Sequence, residues 1–261
     1  MAPRTPHADL ADFITEIITE AGRMTLEYFQ DPALVVDRKL DGTPVTVADR
    51  MAERFLREQI TKRFPDDAII GEEEDDVTGT TGRSWVIDPI DGTKSFTAGV
   101  PLYANLVAVI DDDVPVVGAI NLPALDELVI ATSGGGAFFN GEPTRVSATA
   151  ELRGAYLMTS GLTYWPEGAL ERLTAEGMTI RTWADAYGYA LVATGRVAAM
   201  VDPLANLWDV APMLVILEEA GGRFTSLAGE RTVAAGNGVG SNGAIHDKLI
   251  AVLPDHGRES S

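Results

Sequence analysis

The chain opens with apolar residues three and four positions apart. Leu10, Phe13, Ile14, Ile17, Ile18, Ala21, Met24 and Leu26 fall on one side of a 3.6-residue wheel, which predicts a helix over residues 9–29. Residues 34–39 are strand-like, and Asp41-Gly42-Thr43-Pro44 makes a turn. A second helix is predicted from Asp49 to about Phe64, with Met51, Phe55, Leu56 and Ile60 inward. A short strand over 68–71 runs into Glu72, Glu73 and Glu74. Residues 75–83 are polar and rich in Gly and Thr, as a loop is. The apolar run from Ser84 to Ile87 reads as a buried strand ending at Asp88. Strand-like runs follow at 105–110, 114–121 and 127–132, with Asp111, Asp112 and Asp113 at a hairpin turn, and 134–141 adds strand and turn again. This stretch predicts helices stacked on an antiparallel sheet.

From Leu152 the pattern alternates. Strand-like segments at 156–159, 179–183 and 198–201 are interleaved with helical ones at 167–176, 186–195 and 209–220, an α/β arrangement. No linker and no internal repeat interrupts the chain. We therefore expect a single unit over 1–261, with an N-terminal α+β half (8–150) and a C-terminal α/β half (151–254), and disordered ends.

Composition narrows the function. With 261 residues, 46% of them hydrophobic, the chain can bury a large core. It has no cysteine, which excludes disulfides, zinc–thiolate sites and thiol nucleophiles. Its net charge of −19 repels nucleic-acid backbones and anionic membranes, so neither is an expected partner. No segment reaches membrane-spanning length and the start has no apolar signal core, so a cytoplasmic location is expected.

The densest chemistry lies in Asp88-Pro89-Ile90-Asp91-Gly92-Thr93. Two carboxylates leaving a buried strand cost stability unless a cation offsets them. Gly92 and Thr93 follow at a helix start, where backbone N–H groups suit an anion. Metal and phosphate on one turn point to phosphate-ester chemistry. Glu72, at another strand end, would complete an oxygen-rich site for a hard cation such as Mg²⁺, although alone it reads as part of a charged loop. Asp49 and Asp209 each head a helix, where an N-cap role competes with metal binding. The glycines at 134–136 carry little signal, nor do His7 and His256 near the ends. His246, ahead of a last helix, reads as a surface or capping residue. There is no Ser/His/Asp constellation and no P-loop.

Together, Val45-Thr46-Val47-Ala48-Asp49, Ile70-Gly71-Glu72-Glu73, residues 85–96 and residues 208–222 resemble the inositol-monophosphatase family in order and spacing over nearly the whole chain. The resemblance implies a layered α-β-α-β-α sandwich and a Mg²⁺-dependent phosphomonoesterase using two to three ions, with Mn²⁺ able to substitute. It implies metal binding by Glu72, Asp88, Asp91, Asp209 and the carbonyl of Ile90. It further implies that Asp49 and Thr93, with Glu72, orient the attacking water, and that the Gly92 and Thr93 amides hold phosphate. It implies a small phosphorylated metabolite as substrate and a homodimer.

Within that superfamily, Lys94 after Thr93 and the segments Asp185-Ala186-Tyr187-Gly188-Tyr189 and Met200-Val201-Asp202-Pro203 resemble the histidinol-phosphate phosphatases. Asp185 and Asp202 would then face a cationic substrate; the plainer reading is a helix cap and a turn residue. Inositol 1-phosphate, fructose 1,6-bisphosphate and 3′-phosphoadenosine 5′-phosphate are the rival substrates. A non-catalytic metal- or phosphate-binding regulator is the rival of a different class.

Overall fold

Strands whose residues are buried on both faces need a helical layer on each side, and the 7-stranded sheet at the centre of this fold has them. The computed structural model describes residues 7–39 and 42–253; Asp41 of the predicted turn and His256 lie outside these. In chain order the elements are α1 (Ala8–Leu26), β1 (Val36–Arg38), β2 (Pro44–Thr46), α2 (Val47–Arg63), β3 (Ala68–Gly71), β4 (Arg83–Asp91) and α3 (Thr93–Thr97). Next come β5 (Ala104–Asp111), β6 (Val114–Leu122), β7 (Glu127–Thr132), β8 (Gly136–Phe139), β9 (Glu142–Pro143) and β10 (Tyr156–Met158). The chain continues with α4 (Ala169–Ala175), β11 (Thr179–Arg181), α5 (Asp185–Ala193), β12 (Ala199–Asp202), α6 (Leu207–Glu219), β13 (Arg223–Thr225), β14 (Gly238–Ser241) and α7 (His246–Val252).

The large sheet has the order β3-β4-β5-β6-β7-β8-β9 and is antiparallel except for the parallel β3–β4 pair. Alternation along β4 and β5 divides it between two cores. Trp85, Ile87, Val107 and Val109 pack with Phe13, Ile17, Leu56 and Ile60 of α1 and α2. Leu106 faces the other way, onto Tyr189, Met213 and Leu217 of α5 and α6. Beyond those helices lies the second sheet, β11-β10-β12-β14-β13. Its outer face, with Leu157, Ala199, Val201 and Val239, is covered by Leu173 of α4 and Leu249 of α7. The order of layers is α-β-α-β-α, as the resemblance implied.

The helices predicted from periodicity are present, each within a few residues of its expected ends. Leu26 is exposed, since α1 ends there. Strands β13 and β14 were not predicted; Gly238 and Gly240 deprive β14 of apolar alternation. Among the described residues no helix is long and apolar enough to cross a membrane.

Candidate metal centre and adjoining cleft

Asp88 and Asp91 are three residues apart, and in a regular strand that spacing sends side chains to opposite faces. Contrary to the expected strand end at Asp88, β4 continues through Asp91, and its register on β5 shifts between them: Asp88 pairs with Leu106 and Asp91 with Ala104. That one extra residue is a β-bulge, and it returns both carboxylates to one side. Pro89 suits a bulge because it has no ladder N–H to lose. The Pro89 carbonyl accepts from Asn105 Nδ2 at 2.6 Å, and Asn105 Oδ1 in turn accepts from Asn121 Nδ2 at 2.9 Å, so the displaced backbone is satisfied.

Asp209 completes the group. One carboxylate oxygen from each of Asp88, Asp91 and Asp209 lies within 4.8 Å of the others. An all-carboxylate, mostly buried trio is a donor set for a hard divalent cation and for little else. Asp209 is not the N-cap of α6. That is Asn206, and Asp209 stands at the third helical position with its Oδ2 accepting from Asn206 N at 2.6 Å. Asp49 has the same place in α2, behind Thr46: its Oδ2 accepts from Thr46 N at 2.8 Å and from Thr46 Oγ1 at 2.6 Å. Both acids close a capping box, and each keeps its second oxygen for the site.

Asp49 Oδ1 lies 3.4 Å from Thr93 Oγ1, which also lies 3.0 Å from the Ile90 carbonyl. Gly92 caps α3 with φ +76°, and a Cβ there would stand 2.9 Å from Asp185 Oδ2, so side-chain-free backbone passes between the acid trio and Asp185. Asp91 Oδ2 accepts from Ala186 N at 2.6 Å, joining the bulge to the start of α5. The N-termini of α2, α5 and α6 thus converge on the acids, and their partial positive charge offsets part of the cost of gathering them.

Glu72 stands outside the trio. Its Oε1 pairs with Lys39 Nζ at 2.7 Å, and the same ammonium lies 2.7 Å from Glu73 Oε1. Sequence reasoning missed Lys39, which follows the short exposed strand β1 and has no local signal. Glu72 still faces the acids. Burial and then its charge push the Asp88 carboxyl well above the usual carboxylate range, and burial with the Asp185 and Asp209 charges does the same to Asp91. Asp209 is pushed up to about 7, by burial first and then by Glu72 and Asp185, against the Asn206 hydrogen bonds. A cation bound among these mutually repelling carboxyls would offset both their burial and their repulsion.

Beside the trio opens a cleft of about 530 Å³ lined by Lys94, Ser95, Ser160, Tyr164, Trp183, Asp185, Asp202 and Leu204, among others. Asp202 ends β12, rather than lying in a turn, and accepts from Ser160 Oγ at 2.5 Å. Burial pushes its carboxyl up to about 7 against the Ser160 bond. Asp185 is the first residue of α5, not its cap. Trp183, Tyr164 and Leu204 are largely exposed around the mouth.

Residues 7–258 match the inositol monophosphatase family. The chain belongs to that family. As a member it is a phosphoric monoester hydrolase, and the family is metal-dependent. It is 41% identical to a histidinol-phosphatase of Chlorobaculum parvum over 98% of this chain and 99% of that one. It is 40% identical to a histidinol-phosphatase of Mycobacterium tuberculosis over 89% and 93%. Among solved structures, the IMPase of Thermotoga maritima superposes with a TM-score of 0.84 at 34% identity, covering 94% of this chain and 96% of that one.

His246, expected at the surface, is fully buried: Nε2 lies 2.9 Å from Thr225 Oγ1 and Nδ1 2.8 Å from Ser241 Oγ. It ties α7 to β13 and β14, away from the acids.

Proposed function

We propose that the chain is a Mg²⁺-dependent histidinol-phosphate phosphatase, converting L-histidinol phosphate and water to L-histidinol and phosphate. The observation that carries this reading is the cleft beside the acid trio. Its two carboxylates, the buried Asp202 and the half-buried Asp185, suit a substrate body with an amine and an imidazole, and its apolar mouth suits a flat ring. The names of the similar bacterial histidinol-phosphatases support the same substrate.

In this reading Asp88, Asp91, Asp209, Glu72 and the Ile90 carbonyl hold two to three Mg²⁺ ions, for which Mn²⁺ can substitute. Bound there, the ions acidify a water and neutralise phosphate charge. The amides of Gly92 and Thr93 hold the phosphate at the start of α3. Asp49, fixed by its capping box, and the Thr93 hydroxyl, 3.4 Å away, orient the water, and the Glu72 carboxylate takes its proton. Water oxygen bonds to phosphorus as the phosphorus–alkoxide bond breaks, and the alkoxide takes up, by way of solvent, the proton that the attacking water gave up, and leaves as the alcohol. A homodimer in the cytoplasm belongs to the same reading; the exposed Tyr164 and Leu204 at the cleft mouth offer apolar surface for a second subunit.

A phosphate-release panel tests the reading. With Mg²⁺, kcat/KM should be highest for histidinol phosphate among histidinol phosphate, inositol 1-phosphate, fructose 1,6-bisphosphate and 3′-phosphoadenosine 5′-phosphate, and EDTA should abolish release from all. The likeness to an IMPase makes inositol 1-phosphate the second reading, and a higher kcat/KM for it would replace the first.

A further inference from the structure

Helix α2 presents Asp49, Glu53 and Arg57 four residues apart, and all three are buried although all three are charged. Asp49 serves the acid centre. The other two form an ion pair, Arg57 Nε to Glu53 Oε1 at 2.8 Å, whose remaining hydrogen bonds go to one short piece of backbone. Glu53 accepts from Glu73 N at 2.8 Å and from Glu74 N at 3.0 Å. Arg57 donates to the carbonyls of Glu74 at 2.8 Å and Asp75 at 3.0 Å. Two side chains thus hold two amides and two carbonyls of the loop that begins with Glu72. Gly71, the residue before Glu72, leaves room for this. A Cβ there would overlap Glu53 Oε1 and stand 2.7 Å from Arg57 Nη2.

Burying an ion pair costs about as much as the pair returns, so stability alone is a weak reason for it. Its geometry offers another reason. Glu72 hangs between the end of β3 and backbone clamped on its far side, so its carboxylate can hold one position beside four other acids that repel it. We infer that Glu53 and Arg57 are positioning residues for Glu72, and that α2 acts as a ruler spacing Glu72 from the Asp49–Thr93 pair. The inference rests on the proposed role of Glu72 in binding Mg²⁺.

The test compares Glu53→Gln, Arg57→Lys and Glu72→Gln with the wild-type protein by two measurements. One is the Mg²⁺ concentration giving half-maximal phosphate release. The other is the rise in melting temperature at a fixed, subsaturating Mg²⁺ concentration. Glu53→Gln should raise the half-maximal concentration by about 10-fold, the loss typical when a support behind a metal ligand is removed, and shrink the melting-temperature rise. Arg57→Lys keeps the charge but not the fork that spans two carbonyls, so it should shift both in the same direction by less. If Glu53→Gln does not fold, Arg57→Lys decides. If these variants lower the metal-free melting temperature yet keep both Mg²⁺ readouts at wild-type values while Glu72→Gln shifts them, the pair is only a brace and the inference falls alone. If Glu72→Gln also leaves both readouts unchanged, the role of Glu72 falls and takes the inference with it.

Discussion

Asp91 ties the chemistry to the fold through a single carboxylate: one oxygen is within reach of Asp88 and Asp209, and Oδ2 accepts from Ala186 N across the molecule. Asn in its place keeps that acceptor and removes the charge. Asp91→Asn should therefore lower kcat by more than about 100-fold, beyond the loss from a mere supporting residue, while the metal-free melting temperature stays level or rises. Near-normal turnover at saturating Mg²⁺ would exclude Asp91 as a ligand. Asp202→Asn addresses the substrate instead. Losing a charged hydrogen-bond partner should raise KM for histidinol phosphate about 10-fold or more and leave inositol 1-phosphate almost unaffected. Equal shifts for both substrates would remove Asp202 from cation recognition. His246 makes a prediction of the opposite pH sense to the acids. Burial first, then Arg223, lower its pKa to about 4 from an ordinary 6.5, so the unfolded chain binds the extra proton and stability falls as pH drops from 6.5 towards 4. Between pH 7 and 5 the wild-type protein should lose about 2 kcal/mol more than His246→Gln, read from urea unfolding at each pH. The acids of the centre were legible because Asp-Gly-Thr after an apolar run is rare chemistry. Lys39, Glu53, Arg57 and His246 were not, because a Glu and an Arg four apart read as a solvated helix face and only the layer packed against them reveals the burial.

At the scale of the element, the decisive feature is the bulge in β4. An apolar run followed by Asp88 suggested a strand that stops; the structure continues it and inserts one residue, since stopping would not have aimed Asp88 and Asp91 together. A one-residue change of register leaves no trace in hydrophobic periodicity, whereas the helices and the β5–β6 hairpin do. The capping boxes were half legible. Thr46 and Asn206 three residues before Asp49 and Asp209 carry the pattern, but an Asp at a helix head is as easily taken for the cap itself. Asn105 supports the bulge from β5, fully buried with its amide on Pro89 O. Asn105→Ala would leave that carbonyl without its donor and leave Asn121 Nδ2 with only its bond to the Ile18 carbonyl. We expect a loss of about 1–3 kcal/mol in urea unfolding together with a higher Mg²⁺ requirement, because the bulge sets the spacing of the two aspartates. A stability loss with an unchanged Mg²⁺ requirement would show that the bulge holds its shape without Asn105.

Across the whole molecule, a chain of net charge −19 brings Asp49, Asp88, Asp91 and Asp209 to one point, where helix N-termini and Lys39 offset only part of the repulsion. The raised carboxyls of Asp88, Asp91 and Asp209 mean that the metal-free native state holds protons that the unfolded chain has released. For a raised pKa the native state is not penalised below the unfolded value near 4. The penalty grows as pH rises and is complete once pH passes the folded value, about 7 for Asp209. A divalent cation acts on that penalty directly: above pH 7 it meets an ionised Asp209, and at pH 5.5 it must displace more protons from the centre. The difference in melting temperature between Mg²⁺-loaded and EDTA-treated protein should therefore be small at pH 5.5 and large at pH 8. At a Mg²⁺ concentration 100 times the dissociation constant, each occupied site adds about 2.7 kcal/mol. Because His246 titrates alike with and without metal, it cancels from this difference. NaCl at matched ionic strength screens only the surface and should recover little of the gap. A gap that is equal at the two pH values, or that NaCl closes, would mean that surface charge and not the acid centre governs the stability of the metal-free protein.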